Sequence, residues 1–351
     1  MSLMNVSLLP PTRLDAPNAA LVPLVEILRC PRCNGRMGEA GRTLVCRGCS
    51  QRYPITDGVP QLFVPNDWDD RKPDVTDIVK DFYEETPFPN YDDVDSRETL
   101  RKKARLGVFA RILDEQIPSD ALVLEAGSGT GQLTNFLGMD WRRRVIGADL
   151  CMNSLKLAKD FRDRFGVVNA DFLQMNLFRP PFADASMDVV IANGVLHHTA
   201  DPEGGFRAIL AKLKPGGYIV IGLYNRLGRL PTLWRRRLIE LFGDRMAAFD
   251  HRLRGQRLNT GRWQAWFRDQ YKHPHESKHS MDEVLGWFER NRVEFLSSIP
   301  SIGDVELDEN EPIFAPHRTG TRLDRLSTEI EMLLSGGADG GLFIMIGRKL
   351  A

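Results

Sequence analysis

No stretch of this chain of 351 residues stays apolar for the ~20 positions that a membrane-spanning helix requires. Net charge is missing too. The 47 Lys and Arg are balanced by 47 Asp and Glu, so no global field selects nucleic acid or a membrane surface. Cysteine is scarce, five in all, and four of the five fall within residues 30–49. The N-terminus has only Arg13 as a base before Arg29 and lacks the basic and apolar regions of a signal peptide. A cytoplasmic protein is expected, with residues 1–20 disordered and enough remaining chain for about two domains.

The balanced charge is unevenly placed. Residues 67–98 carry twelve acids against four bases, and residues 226–272 carry twelve bases against four acids. These segments either face each other and the solvent, or the basic one receives an anionic substrate.

Residues 122–134, LVLEAGSGTGQLT, hold the strongest signal. An apolar run ends in Glu125, and the turn that follows contains Gly127, Ser128, Gly129 and Gly131 before a helical pattern starts. A turn this tight needs residues without Cβ, and the helix beyond it aims free N–H groups and its positive dipole end at the same spot. A nucleotide-like cofactor suits such a place, and a dinucleotide site is the rival. A second run, RVIGADL, ends at Asp149 and Leu150, where a carboxylate can accept two hydrogen bonds from a ribose diol. A third, GVVNADFL, is read as placing Asp171 and Phe172 at the next strand tip, against adenine. A fourth ends in Asn193 and Gly194, and a fifth follows Lys214-Pro215-Gly216-Gly217 and ends at Tyr224. Helical patterns at 131–139, 153–165 and 202–213 separate the strands, which predicts a parallel sheet with right-handed crossovers.

In LEAGSGTG, GADL, NADFLQMNLFRPPFADASMDVVIANGVLHHTADP and LKPGGYIVIGLYN the chain resembles the class I S-adenosylmethionine-dependent methyltransferases, especially those of quinone-biosynthesis type. The likeness covers roughly 105–225 and resumes in VEFLSSI and GLFIMIGRKL. It implies a Rossmann-like α/β fold of seven strands in which the last two pair antiparallel and the sheet ends with the last strand reversed. It also implies S-adenosylmethionine as cofactor. The chain lacks the Asn/Asp-Pro-Pro-aromatic and Pro-Cys motifs after strand four, which disfavours exocyclic amine or amide targets of that type and the covalent cytosine mechanism. His197 and His198 stand where a general base could reach an acceptor, although Leu-His-His also recurs in the family as a loop-structuring element.

Cys30-Pro-Arg-Cys33 and Cys46-Arg-Gly-Cys49 form a CxxC–x12–CxxC pattern. Two such knuckles complete a tetrahedral four-thiolate site, so structural zinc is expected and no open coordination position remains for catalysis. A reducing compartment and the knuckle spacing argue against disulfides. The surrounding segment resembles the small zinc-ribbon activators of tRNA and protein methyltransferases. It can buttress the catalytic domain, the favoured role, or contact RNA.

The expected organisation is a zinc ribbon at 21–66, a linker and lid segment at 67–104, and a methyltransferase domain at 105–351 with insertions at 225–278 and 299–340. Within the linker, Tyr83 and Tyr91 flank Pro87-Phe88-Pro89 and either contact the cofactor mouth or pack the ribbon on the core. The first insertion reads as an amphipathic helix, 230–255, opened by Arg235, Arg236 and Arg237. As insertions at strand carboxyl ends build acceptor pockets, Arg235 is a candidate substrate contact. The cluster His273, His275, Glu276 and His279 has metal-ligand composition without helical spacing, and substrate contact or a surface loop suits it better. The functional expectation is methyl transfer to a small or carrier-linked anionic metabolite. The alternatives are an RNA methyltransferase and a cofactor-binding partner subunit without turnover. The sequence does not fix the oligomeric state.

Overall fold

The computed structural model describes residues 24–68, 74–92, 94–244, 261–303, 312–335 and 338–351. The expected disorder of residues 1–20 and the second half of the expected helix 230–255 lie outside them. Four short strands follow the helical turn α1 (Leu24–Ile27): β1 (Met37–Glu39), β2 (Thr43–Cys46), β3 (Arg52–Thr56) and β4 (Val59–Leu62). Helices α2 (Thr76–Glu85), α3 (Arg97–Leu106) and α4 (Val108–Gln116) lead to the alternating region. That region runs β5 (Leu122–Ala126), α5 (Gln132–Leu137), β6 (Arg144–Asp149), α6 (Met152–Phe165), β7 (Ala170–Met175), β8 (Met187–Asn193), α7 (Pro202–Leu210) and β9 (Leu213–Tyr224). The chain closes with α8 (Leu230–Phe242), α9 (Gly261–Tyr271), α10 (Met281–Arg290), β10 (Val293–Ile299), α11 (Arg322–Leu334) and β11 (Leu342–Lys349). Among the described residues no helix is long and apolar enough to cross a membrane.

Local chemistry sets the helix ends. The Ser96 hydroxyl accepts the Thr99 N–H and the Thr99 hydroxyl returns to the Ser96 N–H, a reciprocal cap that starts α3. Helix α6 starts where the Cys151 sulfur accepts the Ser154 N–H, and it stops at Gly166 in the left-handed region. The middles of β6 and β8, residues 145–148 and 189–192, are apolar and buried without alternation, the pattern of strands covered on both faces.

The methyltransferase part of the sheet has the order β7-β6-β5-β8-β9-β11-β10. Strand β11 runs antiparallel to both neighbours, β9 and β10. The reversed last strand is therefore inserted between them, and β10 forms the edge rather than β11.

The expectation of a seven-stranded sheet with a separate ribbon needs a second correction. The ribbon strands continue the same sheet as β1-β2-β3-β4, because β4 pairs in parallel with β7 (Gln61 with Gln174, Leu62 with Met175), giving eleven strands. The Arg29 N–H donates to the Pro181 carbonyl at 2.9 Å, and the Ala183 N–H donates to Ile27 at 2.8 Å. Cys30, Leu44, Cys46 and Tyr53 share one hydrophobic cluster with Leu173, Met175 and Phe182. Without the ribbon, β7 would present an unpaired edge.

Since Leu62 is fully buried in that common core, Leu62→Ala should cost about 2–5 kcal/mol. Urea unfolding followed by fluorescence and by circular dichroism should give one shared transition in both proteins. Separate ribbon and sheet transitions would contradict a common core.

Candidate active site

The carboxyl ends of β5, β6, β7, β8 and β9 open onto one cavity of about 1320 Å³. Its floor is the turn after β5. The Gly127 N–H and Ser128 N–H donate to the Ala148 carbonyl at 2.7 and 3.1 Å, which ties the turn to the tip of β6. Gly129 and Gly131 both have positive φ. A Cβ on Gly129 would collide with the Phe88 carbonyl, and one on Gly131 would lie 2.6 Å from Ala158 and Phe172. Glycine is required at both places because the lid segment and α6 press on the turn from opposite sides.

Asp149 stands at the β6 tip and lines the cavity. One carboxylate oxygen accepts the Gly129 N–H and the other accepts the Cys151 N–H, both at 2.8 Å. Burial raises its pKa, and those backbone donors pull it back. Glu125 also lines the cavity and accepts a short hydrogen bond from the Thr134 hydroxyl. Burial pushes its pKa up to about 8. Gly127, Ser128, Gly129, Leu150 and Asn193 line the cavity as expected, and Gly131 does not. Two polar atoms on this wall, Ser128 Oγ and Asn193 Oδ1, are buried with no hydrogen-bond partner in the protein. The Asn193 oxygen faces Gly222, where a Cβ would collide with it.

Asp171 and Phe172 do not belong to this set. They are the second and third residues of β7, at the end of the strand away from the cavity. The Asp171 carboxylate accepts from Arg144 Nε at 2.7 Å, and the Phe172 ring packs under Gly131 and Gly147. The tip of β7 is formed by Met175 and Asn176, which line the cavity. Asn176 donates to the Val64 carbonyl at 2.9 Å and to Asn66 Oδ1 at 2.7 Å, so the segment after β4 fixes it. Strand register was the usable signal: Asp149 lies opposite Gln174, which puts Asn176 beyond the tip.

The two lid tyrosines divide. Tyr83 lines the cavity and donates to Asp269 Oδ1 at 2.9 Å. Tyr91 instead donates to the Thr130 carbonyl at 2.9 Å and stacks on Phe161 at 5.1 Å, buttressing the turn from behind. The first insertion supplies the far wall through Trp266, Asp269 and Gln270 of α9, facing Tyr224 at the end of β9. Arg235 sits on α8 and does not line the cavity. Among the described residues no Lys or Arg lines it, whereas Glu125, Asp149, Asp269 and Glu331 do. This lining opposes the expectation that the basic insertion receives an anionic acceptor here.

The histidines are structural in their bonding. His198 Nδ1 lies 2.9 Å from the His275 carbonyl, which can only accept, so this nitrogen carries the proton. His198 Nε2 is then the acceptor for His197 Nε2, 3.1 Å away. His198 lines the cavity but has no lone pair left for an acceptor's proton, and His197 does not line it at all. The general-base reading of this pair is therefore not supported. Burial pushes the pKa of His198 down to about 3, and that of His273, stacked on it at 3.6 Å, down to about 2.

The cluster His273, His275, Glu276 and His279 is dispersed. His275 Nε2 meets the Thr199 carbonyl at 3.2 Å, Glu276 pairs with Arg229 at 2.7 Å, and His279 pairs with Glu283 at 2.8 Å. Among the described residues the only group with metal-ligand geometry is Cys30, Cys33, Cys46 and Cys49, whose sulfurs lie within 4.8 Å of one another. The Tyr53 hydroxyl reaches the Cys30 sulfur at 3.1 Å, and the Gly48 N–H donates to the Cys46 sulfur at 3.3 Å. A Cβ on Gly35 would lie 2.9 Å from that sulfur.

A histidine whose folded pKa is depressed stabilises the fold above its unfolded pKa, near 6.5, and that stability is lost as pH falls toward the folded value. Between those limits only the unfolded chain binds the extra proton. In His198→Asn the unfolding free energy should therefore depend on pH less steeply, by about 1.4 kcal/mol per unit between about pH 5 and 6. Urea titrations at several pH values measure it. An unchanged slope would mean that the imidazole is not held neutral.

Comparison with known proteins fits this geometry. Residues 124–221 match the model of a methyltransferase domain, and residues 23–58 match that of Trm112p-like proteins. An uncharacterised protein of Synechococcus is 28% identical over 199 residues, half of this chain and 47% of that protein. The ubiquinone/menaquinone biosynthesis C-methyltransferase UbiE of Klebsiella pneumoniae is 31% identical over 102 residues, 28% of this chain and 41% of the enzyme. The chain thus spans less than half the length of these two relatives. Among solved structures, a chain of the Haloferax volcanii complex that contains the Trm112 methyltransferase activator aligns with a TM-score of 0.45 and 14% identity, over 73% of this chain and 94% of that one. The YcgJ protein of Bacillus subtilis aligns with a TM-score of 0.43 and 18% identity, over 70% and 98%. The chain carries an S-adenosylmethionine-dependent methyltransferase domain, matched over residues 124–221, and a Trm112p-like N-terminal segment, matched over residues 23–58.

Proposed function

We propose that this chain transfers a methyl group from S-adenosylmethionine to a small acceptor seated between the glycine turn and the wall formed by α9 and Tyr224. The observation that carries the reading is Asp149 at the tip of β6, which accepts the Gly129 N–H of the glycine turn and lines the same cavity. When bound, the cofactor supplies an electrophilic sulfonium methyl. The residues then have distinct tasks. Asp149 would accept from the ribose diol, and Ser128 and Asn193 would line the wall beside the polar amino-acid end. Asn176 and Leu150 flank the base at the tips of β7 and β6. The chain's contribution to the transfer is alignment and exclusion of water, which for such displacements amounts to about 7–11 kcal/mol at best.

The ribbon sulfurs support a structural zinc ion. Cys30 and Cys49 sulfurs lie 3.7 Å apart, and Cys33 and Cys46 sulfurs 3.5 Å apart. Those separations are far too long for a disulfide. They suit the edges of a tetrahedron with metal–sulfur bonds of about 2.3 Å. Cys30, Cys33, Cys46 and Cys49 would fill all four positions, so the ion would hold the ribbon on the β7 edge and take no part in methyl transfer.

Asp149→Ala should weaken S-adenosylmethionine binding by at least about ten-fold, the consequence of losing a charged hydrogen-bond acceptor. Isothermal titration calorimetry checks this, and wild-type affinity in the variant would defeat the assignment. For the ribbon, elemental analysis of reduced protein should find about one zinc per chain. Cys46→Ser should lower both zinc content and thermal stability. Metal-free protein of unchanged stability would remove zinc from the reading.

A further inference from the structure

The far end of the cavity has a chemistry of its own. Trp266, Asp269 and Gln270 lie at i, i+3 and i+4 on α9 and share one face of that helix. Asp269 is only 5% exposed. Its Oδ1 accepts the Tyr83 hydroxyl and its Oδ2 accepts Gln270 Nε2, both at 2.9 Å, while Gln270 Nε2 also reaches the Tyr224 hydroxyl at 3.0 Å. Each bond engages one lone pair of a carboxylate oxygen and leaves the other open. Tyr83, Phe88 and Trp266 add aromatic surface around it, with Phe88 and Trp266 ring centres 6.2 Å apart. Arg229 lies within electrostatic reach of Asp269, but it is sealed beneath Tyr224, is paired with Glu276 at 2.7 Å and does not line the cavity.

A buried carboxylate with aromatic neighbours and no lining cation suits a positive ligand. An ammonium gains from the aromatic faces and from Asp269, whereas a carboxylate or phosphate would enter beside a like charge with no cation among the described lining residues to meet it. Resting on the methyltransferase reading above, we propose that the acceptor is an amine on an apolar body, with Asp269 as the group that binds and deprotonates it. Asp269 takes one N–H proton from the ammonium. The freed nitrogen lone pair then forms the new N–C bond as the C–S bond breaks and its electron pair returns to sulfur. The product leaves as a methylammonium, and Asp269 gives its proton to water.

The test uses the full chain saturated with S-adenosylhomocysteine, titrated by calorimetry with octylamine, octanol and octanoate. These probes share one apolar body and differ only in the head group. Octylamine should bind about ten-fold or more tightly than octanol, and octanoate more weakly than either. Asp269→Asn should abolish the preference for the amine while S-adenosylhomocysteine affinity stays unchanged. Should that variant not fold, the ranking in the wild-type protein decides alone. Octanoate binding as tightly as octylamine, an undiminished preference in Asp269→Asn, or binding of none of the three would overturn the proposal. Failure of S-adenosylhomocysteine itself to bind would instead overturn the cofactor reading on which it rests.

Discussion

The side chain of Arg229 is entirely shut off from water, and the far half of the cavity is organised around it. Its guanidinium reaches Glu276 at 2.7 Å, Gln270 at 2.6 Å and the Gly340 carbonyl at 2.9 Å, and it lies 3.6 Å from the centre of the Tyr224 ring. Four segments remote in sequence meet on one cation: the end of β9, helix α9, the histidine-rich loop and the approach to β11. A buried charge is tolerable only when every donor has a partner, so the four must assemble together. That constraint fixes where Gln270 stands, and with it the Tyr224 and Asp269 contacts. It also makes Glu276 an internal counter-ion rather than a metal ligand.

The near half of the cavity depends on close approach instead of charge. The lid segment is docked on the glycine turn: the Phe88 carbonyl lies against Gly129, Gln132 donates to the Asn90 carbonyl at 2.7 Å, and the Tyr91 hydroxyl donates to Thr130. A glycine turn is soft by itself, since glycine loses the most conformational freedom on ordering. Here α6 and the segment around Phe88 clamp it from two sides, and its N–H groups are taken up by Ala148, Asp149, Phe88 and Ser128, so its shape is fixed by the protein itself. Preorganisation of that kind is what an alignment-dominated reaction requires.

Much of the near half was readable from the chain, because its signals are local. LEAGSGTG and the Asp149 tip are short patterns whose geometry follows from a strand, a turn and a helix start. The paired CxxC motifs are equally local. Asp171 was misplaced for a physical reason. A strand buried on both faces carries no alternation, so NADFLQM does not mark where β7 begins, and only pairing with β6 shows that Asn176 lies past the tip. The far half was hardly legible at all. Arg229 and Asp269 are ordinary residues of a charged insertion until tertiary contacts at separations of 41 and 186 positions bring their partners to them. The local excess of bases pointed toward an anionic acceptor, yet the arginine that matters most faces inward and the described lining carries only acids.

The ribbon joins these halves to the sheet as a whole. An open edge at β7 would leave a row of unpaired peptide groups next to the cofactor side of the cavity. Strand β4 covers it, and the chain leaving β4 immediately provides Val64 and Asn66, the partners that hold Asn176. A few residues later α2 brings Glu84, whose carboxylate accepts the Met152 and Asn153 N–H groups at the start of α6 at 2.8 and 3.1 Å. Helix α6 is the element that presses on Gly131 through Ala158. Covering an edge therefore also sets the tip of one strand and the anchor of one helix, both of which border the cavity.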